Sequence, residues 1–115
     1  MAAVVGSRLS GDRFNGEVVK SNDTYTVIDY TELKSLVISQ TTLFVGKNTT
    51  GHSHIGQEEV YFFTQGSGSL ILDGLEFFVS AGDVWAIPDG AHHKVCNMGE
   101  CDMVFQCVFN GGRKK

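Results

Sequence analysis

The sequence has little proline, little cysteine and little positive charge, and each scarcity excludes a class of protein. One proline and three cysteines stand among 115 residues. No apolar run approaches the ~20 residues that a membrane helix requires, and no basic residue precedes the short apolar run at residues 2–5, as one would in a signal peptide. The cysteines are odd in number and form no CxxC pair, so no disulfide framework is implied. We therefore expect a cytoplasmic protein with no membrane partner.

Positive charge is scarce and is almost missing from the second half of the chain. Nine Lys and Arg against 13 Asp and Glu give a net charge of -4 at pH 7. From Asn48 to Gly112 the only basic residue is Lys94, and the basic cluster at residues 113–115 is interpreted as a solvated terminus. Because a protein that binds nucleic acid without sequence preference needs a basic face, we expect no nucleic-acid partner.

The cysteines are predicted to be small apolar residues of strands in a reducing compartment. They are Cys96, Cys101 and Cys107. One alternative stays open. If residues 97–100 turn a hairpin, Cys96 and Cys101 face each other at a distance that a disulfide can bridge.

Glycine supplies nearly all the turn signals, and it separates short runs rich in Val, Ile, Phe, Tyr and Thr. Such runs are typical of strands, and none has the 3.6-residue apolar period of a helix. The predicted strands are residues 24–30, 35–46, 58–66, 69–74, 75–80, 83–88, 92–97 and 101–109. Asp73 and Gly74 fit a two-residue hairpin, because both of its central positions need positive φ. The pattern predicts an all-β sandwich or barrel.

All four histidines lie in two clusters, each beside a glycine turn. His52 and His54 are two residues apart, and in an extended segment such residues face the same side. Residues 58–59 are both glutamate, and residues 92–93 are both histidine. Because imidazoles and carboxylates are common ligands of transition metals, the arrangement predicts a metal held inside a β-sheet.

Ten residues stand at spacings that resemble the two-part signature of the cupin superfamily. The first block is Gly46, His52, His54, Glu59 and Gly66, separated by five, one, four and six residues; the second is Gly82, Pro88, Gly90, His93 and Asn97, separated by five, one, two and three. Fifteen residues lie between the blocks, and the signature spans residues 46–97. The resemblance implies a small single-domain cupin over residues 1–115, with an all-β double-stranded β-helix (jelly-roll) barrel. Strands within residues 20–45 are then expected to complete the barrel or to form a dimer interface.

The resemblance also implies one divalent metal ion in the barrel. Its ligands would be His52, His54, Glu59 and His93. Three imidazoles and one carboxylate suit Mn, Fe, Zn, Ni, Cu or Co, and they leave two positions of a six-coordinate ion open. Glu58 and His92 are expected to face solvent, since neighbours in a strand point to opposite sides. Asn97 is interpreted as a turn residue that satisfies its own backbone and not as a ligand.

The same alternation predicts the lining of the barrel. Tyr61 and Phe63 are expected to face inward with Glu59, and Val60 and Phe62 to face outward. On the last strand the uniformly apolar set is predicted to face inward: Met103, Phe105, Cys107 and Phe109. Tyr61 is the candidate catalytic residue, because a phenol near a metal can donate a proton.

Three functions remain open from the sequence. The first is a metal-dependent isomerase or epimerase acting on a small unphosphorylated sugar or hydroxy-carbonyl compound. A phosphorylated substrate is disfavoured because Lys94 points away from the side of His93. Basic residues outside the signature remain able to reach the barrel mouth: Arg8, Arg13, Lys20, Lys34 and Lys47. The alternatives are a non-haem iron dioxygenase, which the aromatic interior favours, and a non-catalytic cupin that binds a small ligand or a metal.

The outward apolar residues predict self-association. Val60, Phe62 and one of Phe77 and Phe78 would leave apolar surface on a small barrel. Open sheet edges also need covering. We therefore expect a homodimer.

Overall fold

The computed structural model describes residues 6–10 and 13–111. Nine β-strands run through these residues, and no helix is found among them. The strands are β1 (Glu17–Ser21), β2 (Tyr25–Tyr30), β3 (Leu36–Leu43), β4 (Glu59–Gln65), β5 (Ser67–Leu72), β6 (Leu75–Ser80), β7 (Val84–Ile87), β8 (His93–Asn97) and β9 (Met103–Asn110). Within the described ranges there is also no helix with the length and apolar character that crossing a membrane requires.

The strands form two antiparallel sheets that pack around one core. The larger sheet has the order β1-β2-β3-β9-β4-β7, and the smaller has the order β6-β5-β8. Residues of both sheets share the core: Leu43, Phe63 and Met103 from the larger sheet and Leu70 and Val95 from the smaller are almost inaccessible to solvent. The prediction of an all-β jelly-roll barrel is confirmed.

The N-terminal half of the chain contributes strands β1, β2 and β3 to the larger sheet. β3 pairs with β9 along its whole length, from Leu36 opposite Asn110 to Leu43 opposite Met103. β2 pairs with β3 on the other side, and β1 forms the sheet edge. The sequence did not predict β1, because all five of its residues are exposed and show no apolar alternation.

Alternation along β4 and β9 is as predicted. On β4, Glu59, Tyr61 and Phe63 are buried, whereas Val60 and Phe62 are exposed. On β9 the buried side chains are Met103, Phe105, Cys107 and Phe109. Pairing of neighbouring strands places like-facing residues side by side, so one face of the larger sheet points into the barrel.

The predicted hairpin at Asp73 and Gly74 is confirmed. Their φ angles are 48° and 82°, and Leu72 pairs with Leu75 across the turn. Two positive φ values are what a type I′ turn needs, and its twist matches that of the flanking strands.

The alternative of a Cys96–Cys101 disulfide is wrong, and so is the hairpin on which it rested. All three cysteines are free. β8 belongs to the smaller sheet and pairs with β5, whereas β9 belongs to the larger sheet, so residues 98–102 cross between sheets. Cys107 is buried in the core as expected, but Cys101 is exposed in the crossing segment and not in a strand.

Candidate metal centre

A short stretch of backbone pairing brings the two histidine clusters together. His52 lies in the connection between β3 and β4, and it forms an antiparallel bridge with His93 at the start of β8. The His52 N–H donates to the His93 carbonyl at 3.1 Å, and the His93 N–H donates to the His52 carbonyl at 2.9 Å. The centroids of the two imidazole rings are consequently 4.5 Å apart.

His54 is held in the same region by contacts with the turn that precedes β8. Its carbonyl accepts a hydrogen bond from the Gly90 N–H at 3.1 Å, and the Gly56 N–H donates to Asp89 Oδ1 at 2.7 Å. The His54 ring centroid lies 4.7 Å from that of His52 and 6.3 Å from that of His93. All three imidazoles are therefore neighbours.

Backbone carbonyls orient two of these rings. His52 Nδ1 is 3.1 Å from the Thr50 carbonyl oxygen, and His93 Nδ1 is 2.9 Å from the Ala91 carbonyl oxygen. Since a carbonyl can only accept, each Nδ1 carries the proton and donates it. The opposite nitrogen, Nε2, then presents a lone pair in the neutral ring, which is the arrangement that metal-binding histidines use.

Glu59 meets His93 inside the barrel. Glu59 Oε2 and His93 Nε2 are 3.1 Å apart, and the two residues are only 8% and 2% exposed. Although this is ion-pair distance, neither atom takes part in a well-formed hydrogen bond with any described residue. Buried polar atoms left in this state are uncommon and call for a partner such as a bound ion. Their neighbours Glu58 and His92 are exposed, as alternation predicts.

The contact between Glu59 and His93 shifts the pKa values of the two groups in opposite directions. Burial acts to raise the pKa of Glu59, but the adjacent His93 outweighs burial and holds that pKa below its ordinary value. Burial acts to lower the pKa of His93, whereas the Glu59 carboxylate and the Ala91 carbonyl raise it above the usual value. For His52, burial and then the charge of His93 lower the pKa. The carboxylate is thus ionised among imidazoles.

The four candidate ligand side chains lie close together, but their ligating atoms do not converge on one point. In the part of the chain that the structure describes, no three His, Cys, Asp or Glu side chains have ligating atoms converged as in a formed metal site. The donor set of three imidazoles and a carboxylate, and the two buried atoms without hydrogen bonds, nevertheless fit a divalent transition metal. That His52, His54, Glu59 and His93 are its ligands stays a prediction.

A cavity of about 400 Å³ opens beside these residues. Its lining includes four serine and threonine side chains: Ser39, Thr41, Thr49 and Thr50. Aromatic and aliphatic side chains cover another part, among them Val27, Tyr61, Phe105 and Phe109. The volume lies within the range of small-molecule sites, and the mixed lining suits a small compound with several oxygen atoms.

Tyr61 is buried beside His93 and the cavity. It is 5% exposed, it lines the cavity, and its ring centroid is 5.6 Å from that of His93. It also stacks on Phe105, at 5.6 Å and an interplanar angle of 14°. Contacts with His93 and Phe105 restrict the ring, but a catalytic role remains a prediction.

The sequence alone did not identify several residues of the cavity. Gln57 is buried there, and its amide donates to the Asn110 carbonyl at 3.0 Å. Lys20 and Tyr25 also line the cavity, although they lie more than 25 residues before the first histidine. A glutamine two residues before a candidate ligand, on the same side by alternation, was the one signal available for Gln57.

This architecture, two antiparallel sheets with histidines and a glutamate gathered beside an internal cavity, defines a cupin-type barrel. Residues 41–109 match the model of the cupin domain family (Cupin_2). Since the match covers more than half of the chain, the chain belongs to this family.

Two curated relatives are similar over part of their length. An uncharacterised protein of Methanocaldococcus jannaschii is 36% identical over 63 residues, which are 55% of this chain and 50% of that protein. An oxalate-binding protein of Thermotoga maritima is 29% identical over 75 residues, which are 65% of this chain and 62% of that protein. The chain therefore spans between half and two thirds of the length of the relatives it matches.

Solved structures show the same fold. KdgF of a Halomonas species has a TM-score of 0.80 at 18% identity, over 96% of this chain and 97% of that one. A predicted oxalate decarboxylase of Thermotoga maritima has a TM-score of 0.70 at 24% identity, over 75% of this chain and 79% of that one. A sugar phosphate isomerase of Silicibacter pomeroyi has a TM-score of 0.72 at 23% identity, over 78% and 61%. At these identities the likeness establishes the fold alone.

Proposed function

We propose that this protein is a metal-binding cupin that acts as an isomerase or epimerase on a small unphosphorylated sugar or hydroxy-carbonyl compound. The observation that carries the proposal is the buried Glu59 and His93 pair, whose facing atoms lack hydrogen bonds. It lies beside a cavity lined with hydroxyl groups, which match the hydroxyl and carbonyl groups of such a compound.

The metal would be one divalent ion of Mn, Fe, Zn, Ni, Cu or Co. His52, His54, Glu59 and His93 would hold it through three imidazole nitrogens and one carboxylate. When bound, such an ion acts as a Lewis acid that polarises a carbonyl oxygen and so acidifies the adjacent C–H bond.

In this proposal, side chains of the cavity bind and orient the substrate and transfer its proton. Ser39 and Thr41, both on β3, line the cavity and would bind substrate hydroxyl groups and fix the orientation of the carbon chain. The phenol of Tyr61 would give a proton to the substrate or take one from it. Phe105, stacked on Tyr61, keeps that ring in position and keeps water from one side of it.

The absence of a phosphate in the proposed substrate has a structural basis. Among the described residues that line the cavity, Lys20 is the only lysine or arginine. Lys94, the one basic residue between residues 48 and 111, lies on β8 beside buried His93 and Val95 and so faces the other side of its sheet. Phosphate sites generally use several cationic or backbone donors.

The test is proton exchange in D₂O. Metal-loaded protein is incubated with a panel of aldoses, ketoses and hydroxy-ketones, and deuterium entering carbon next to the carbonyl is followed by NMR. We expect exchange and interconversion in the wild type and in His92→Ala, and loss of at least about a hundredfold in His93→Ala. Undiminished turnover in His93→Ala would contradict the mechanism.

Specific observations also support two other functions. The aromatic wall of Tyr61, Phe105 and Phe109 suits an apolar substrate of a non-haem iron dioxygenase, which would consume oxygen with Fe(II) and not with Zn(II). The similarity to an oxalate-binding protein supports a non-catalytic cupin that holds a small ligand or a metal. Tight binding of metal and oxalate, with neither proton exchange nor oxygen uptake, would favour that third function.

The proposed assembly is a homodimer formed through the outer face of the larger sheet. Val60 and Phe62 are each 37% exposed on that face. Val60 pairs with Ala86 and Val108 on the flanking strands, and Phe62 pairs with Val84. These residues form one apolar patch, whose burial against a second copy would remove it from water.

A further inference from the structure

A β-bulge in the edge strand β1 sets the direction of Lys20. Glu17 pairs with Asp29 and Val18 with Ile28, but the register then shifts so that Lys20 pairs with Val27. Continued without the shift, the register would place Lys20 opposite Thr26, whose side chain points to the outer face. Because directly paired residues share a face, the bulge turns Lys20 to the side of buried Val27.

The consequence is an ammonium group in the wall of the cavity. Lys20 and Val27 both line it, together with the hydroxyl groups of β3 and three of the candidate metal ligands, His52, His54 and Glu59. Within the described ranges, Lys20 takes part in no ion pair. Among the described residues, Lys20 therefore has no carboxylate partner that would neutralise its positive charge at the cavity.

Tyr25 holds this ammonium in place. Lys20 Nζ is 3.5 Å from the Tyr25 hydroxyl oxygen and 5.6 Å from the centroid of its ring. An ammonium at this distance is attracted by the ring and keeps two of its three N–H donors for other partners. Tyr25 itself lines the cavity, so its hydroxyl group is available to the same partner.

We infer that Lys20 and Tyr25 bind a carboxylate of the cavity's ligand, which makes that ligand a small hydroxy-carbonyl acid and not a neutral sugar. The inference rests on the proposed function and narrows its substrate class. An ammonium and a phenol offer two donors to two carboxylate oxygens. A phosphate group, with more oxygens and more charge, would leave most of its acceptors unmatched by this pair.

The test compares two hydroxy acids that differ by one carboxylate. Lactate offers a hydroxyl and a carboxylate to the metal centre, and malate offers the same groups plus a second carboxylate. Affinities are measured by isothermal titration calorimetry on zinc-loaded protein for the wild type, Lys20→Met and Tyr25→Phe. Lys34→Met is the matched control, because Lys34 is an exposed residue that does not line the cavity.

We expect malate to bind the wild type about tenfold more tightly than lactate, as a charge-assisted hydrogen bond in a partly exposed site gives. Lys20→Met should abolish this advantage, Tyr25→Phe should reduce it, and Lys34→Met should keep it. Equal affinity of malate and lactate for the wild type, or an advantage of malate that survives in Lys20→Met, would overturn the inference.

A phosphate arm distinguishes the type of anion. The affinities of glycerate and 3-phosphoglycerate are compared in the same proteins. The assignment to a carboxylate would be overturned if the phosphate raised the affinity through Lys20 as much as the second carboxylate of malate does. Failure of the proposed function looks different: the protein takes up no zinc, and none of these acids binds. Zinc uptake with lactate binding but no gain for malate defeats the inference alone.

Discussion

His93 Nε2 lies 3.1 Å from Glu59 Oε2 in the interior of the barrel, while the adjacent residues of the chain, His92 and Glu58, face solvent. Each buried residue thus has an exposed neighbour of the same type. The chain therefore supplies its own matched controls for a test of the metal centre.

Glu59→Gln should weaken metal binding on the order of a hundredfold, since the amide removes the negative charge but keeps the shape. Glu58→Gln should leave it unchanged, because that side chain is exposed. Zinc and manganese affinities are measured by competition with a chromophoric chelator, with metal content checked by elemental analysis. The reverse pattern, a loss with Glu58→Gln and none with Glu59→Gln, would show that the register of ligands is wrong.

Asn97→Ala should lower the free energy of unfolding by about 2–4 kcal/mol, because it leaves buried backbone groups without partners. The buried Asn97 amide donates to the carbonyls of Leu43 at 2.9 Å and Cys101 at 3.0 Å. Its oxygen also accepts from the Gly99 N–H at 3.0 Å. Urea denaturation measures the change.

The control for Asn97 is Asn110→Ala, since Asn110 is exposed at the end of β9 and, among the described residues, its side chain has no hydrogen-bond partner. We expect a change within about 0.5 kcal/mol there. Equal effects of the two substitutions would mean that the contact between Asn97 and Leu43 contributes nothing specific.

Phe62→Glu should convert a homodimer into a monomer, because it places a charge in the apolar patch of the larger sheet. Phe78→Glu is the control, since Phe78 is 76% exposed on β6 of the other sheet. Sedimentation velocity at micromolar concentration measures both. A monomeric wild type would contradict the dimer, and dissociation by Phe78→Glu alone would move the interface to the smaller sheet.

The three thiols should react with a disulfide reagent in order of their exposure. Cys101 is exposed, Cys96 is half-buried and Cys107 is buried in the core. We expect one fast equivalent that Cys101→Ser removes, one slower equivalent, and a third that appears only on unfolding. A count of one thiol in the denatured, unreduced protein would indicate that a disulfide forms after all.

Local rules of the sequence were sufficient for much of the fold. Every predicted strand overlaps an observed one, with ends that differ by at most three residues. The turn at Asp73 and Gly74 and the facing of β4 follow from positive φ and from two-residue alternation. These are properties of neighbouring residues, so they need no knowledge of the rest of the chain.

Other features depend on pairing between distant strands, which local sequence rules do not predict. Asn97, interpreted as a turn residue, does bond the nearby Gly99, but it also reaches Leu43, 54 residues earlier in the chain. Cys96 and Cys101 are close in sequence, yet they are separated because β8 and β9 join different sheets. Local periodicity does not say which strand lies beside which.

The sequence by itself determined the all-β class, the turns and the residue types of the candidate metal centre, because alternation and spacing act between near neighbours. The tertiary structure alone decided what surrounds that centre. The register shift in β1 turns Lys20 toward the cavity, and the bridge of His52 with His93 places the histidine clusters side by side. Both depend on hydrogen bonds between two different segments of the chain. The sequence of one segment alone therefore does not determine the pairing.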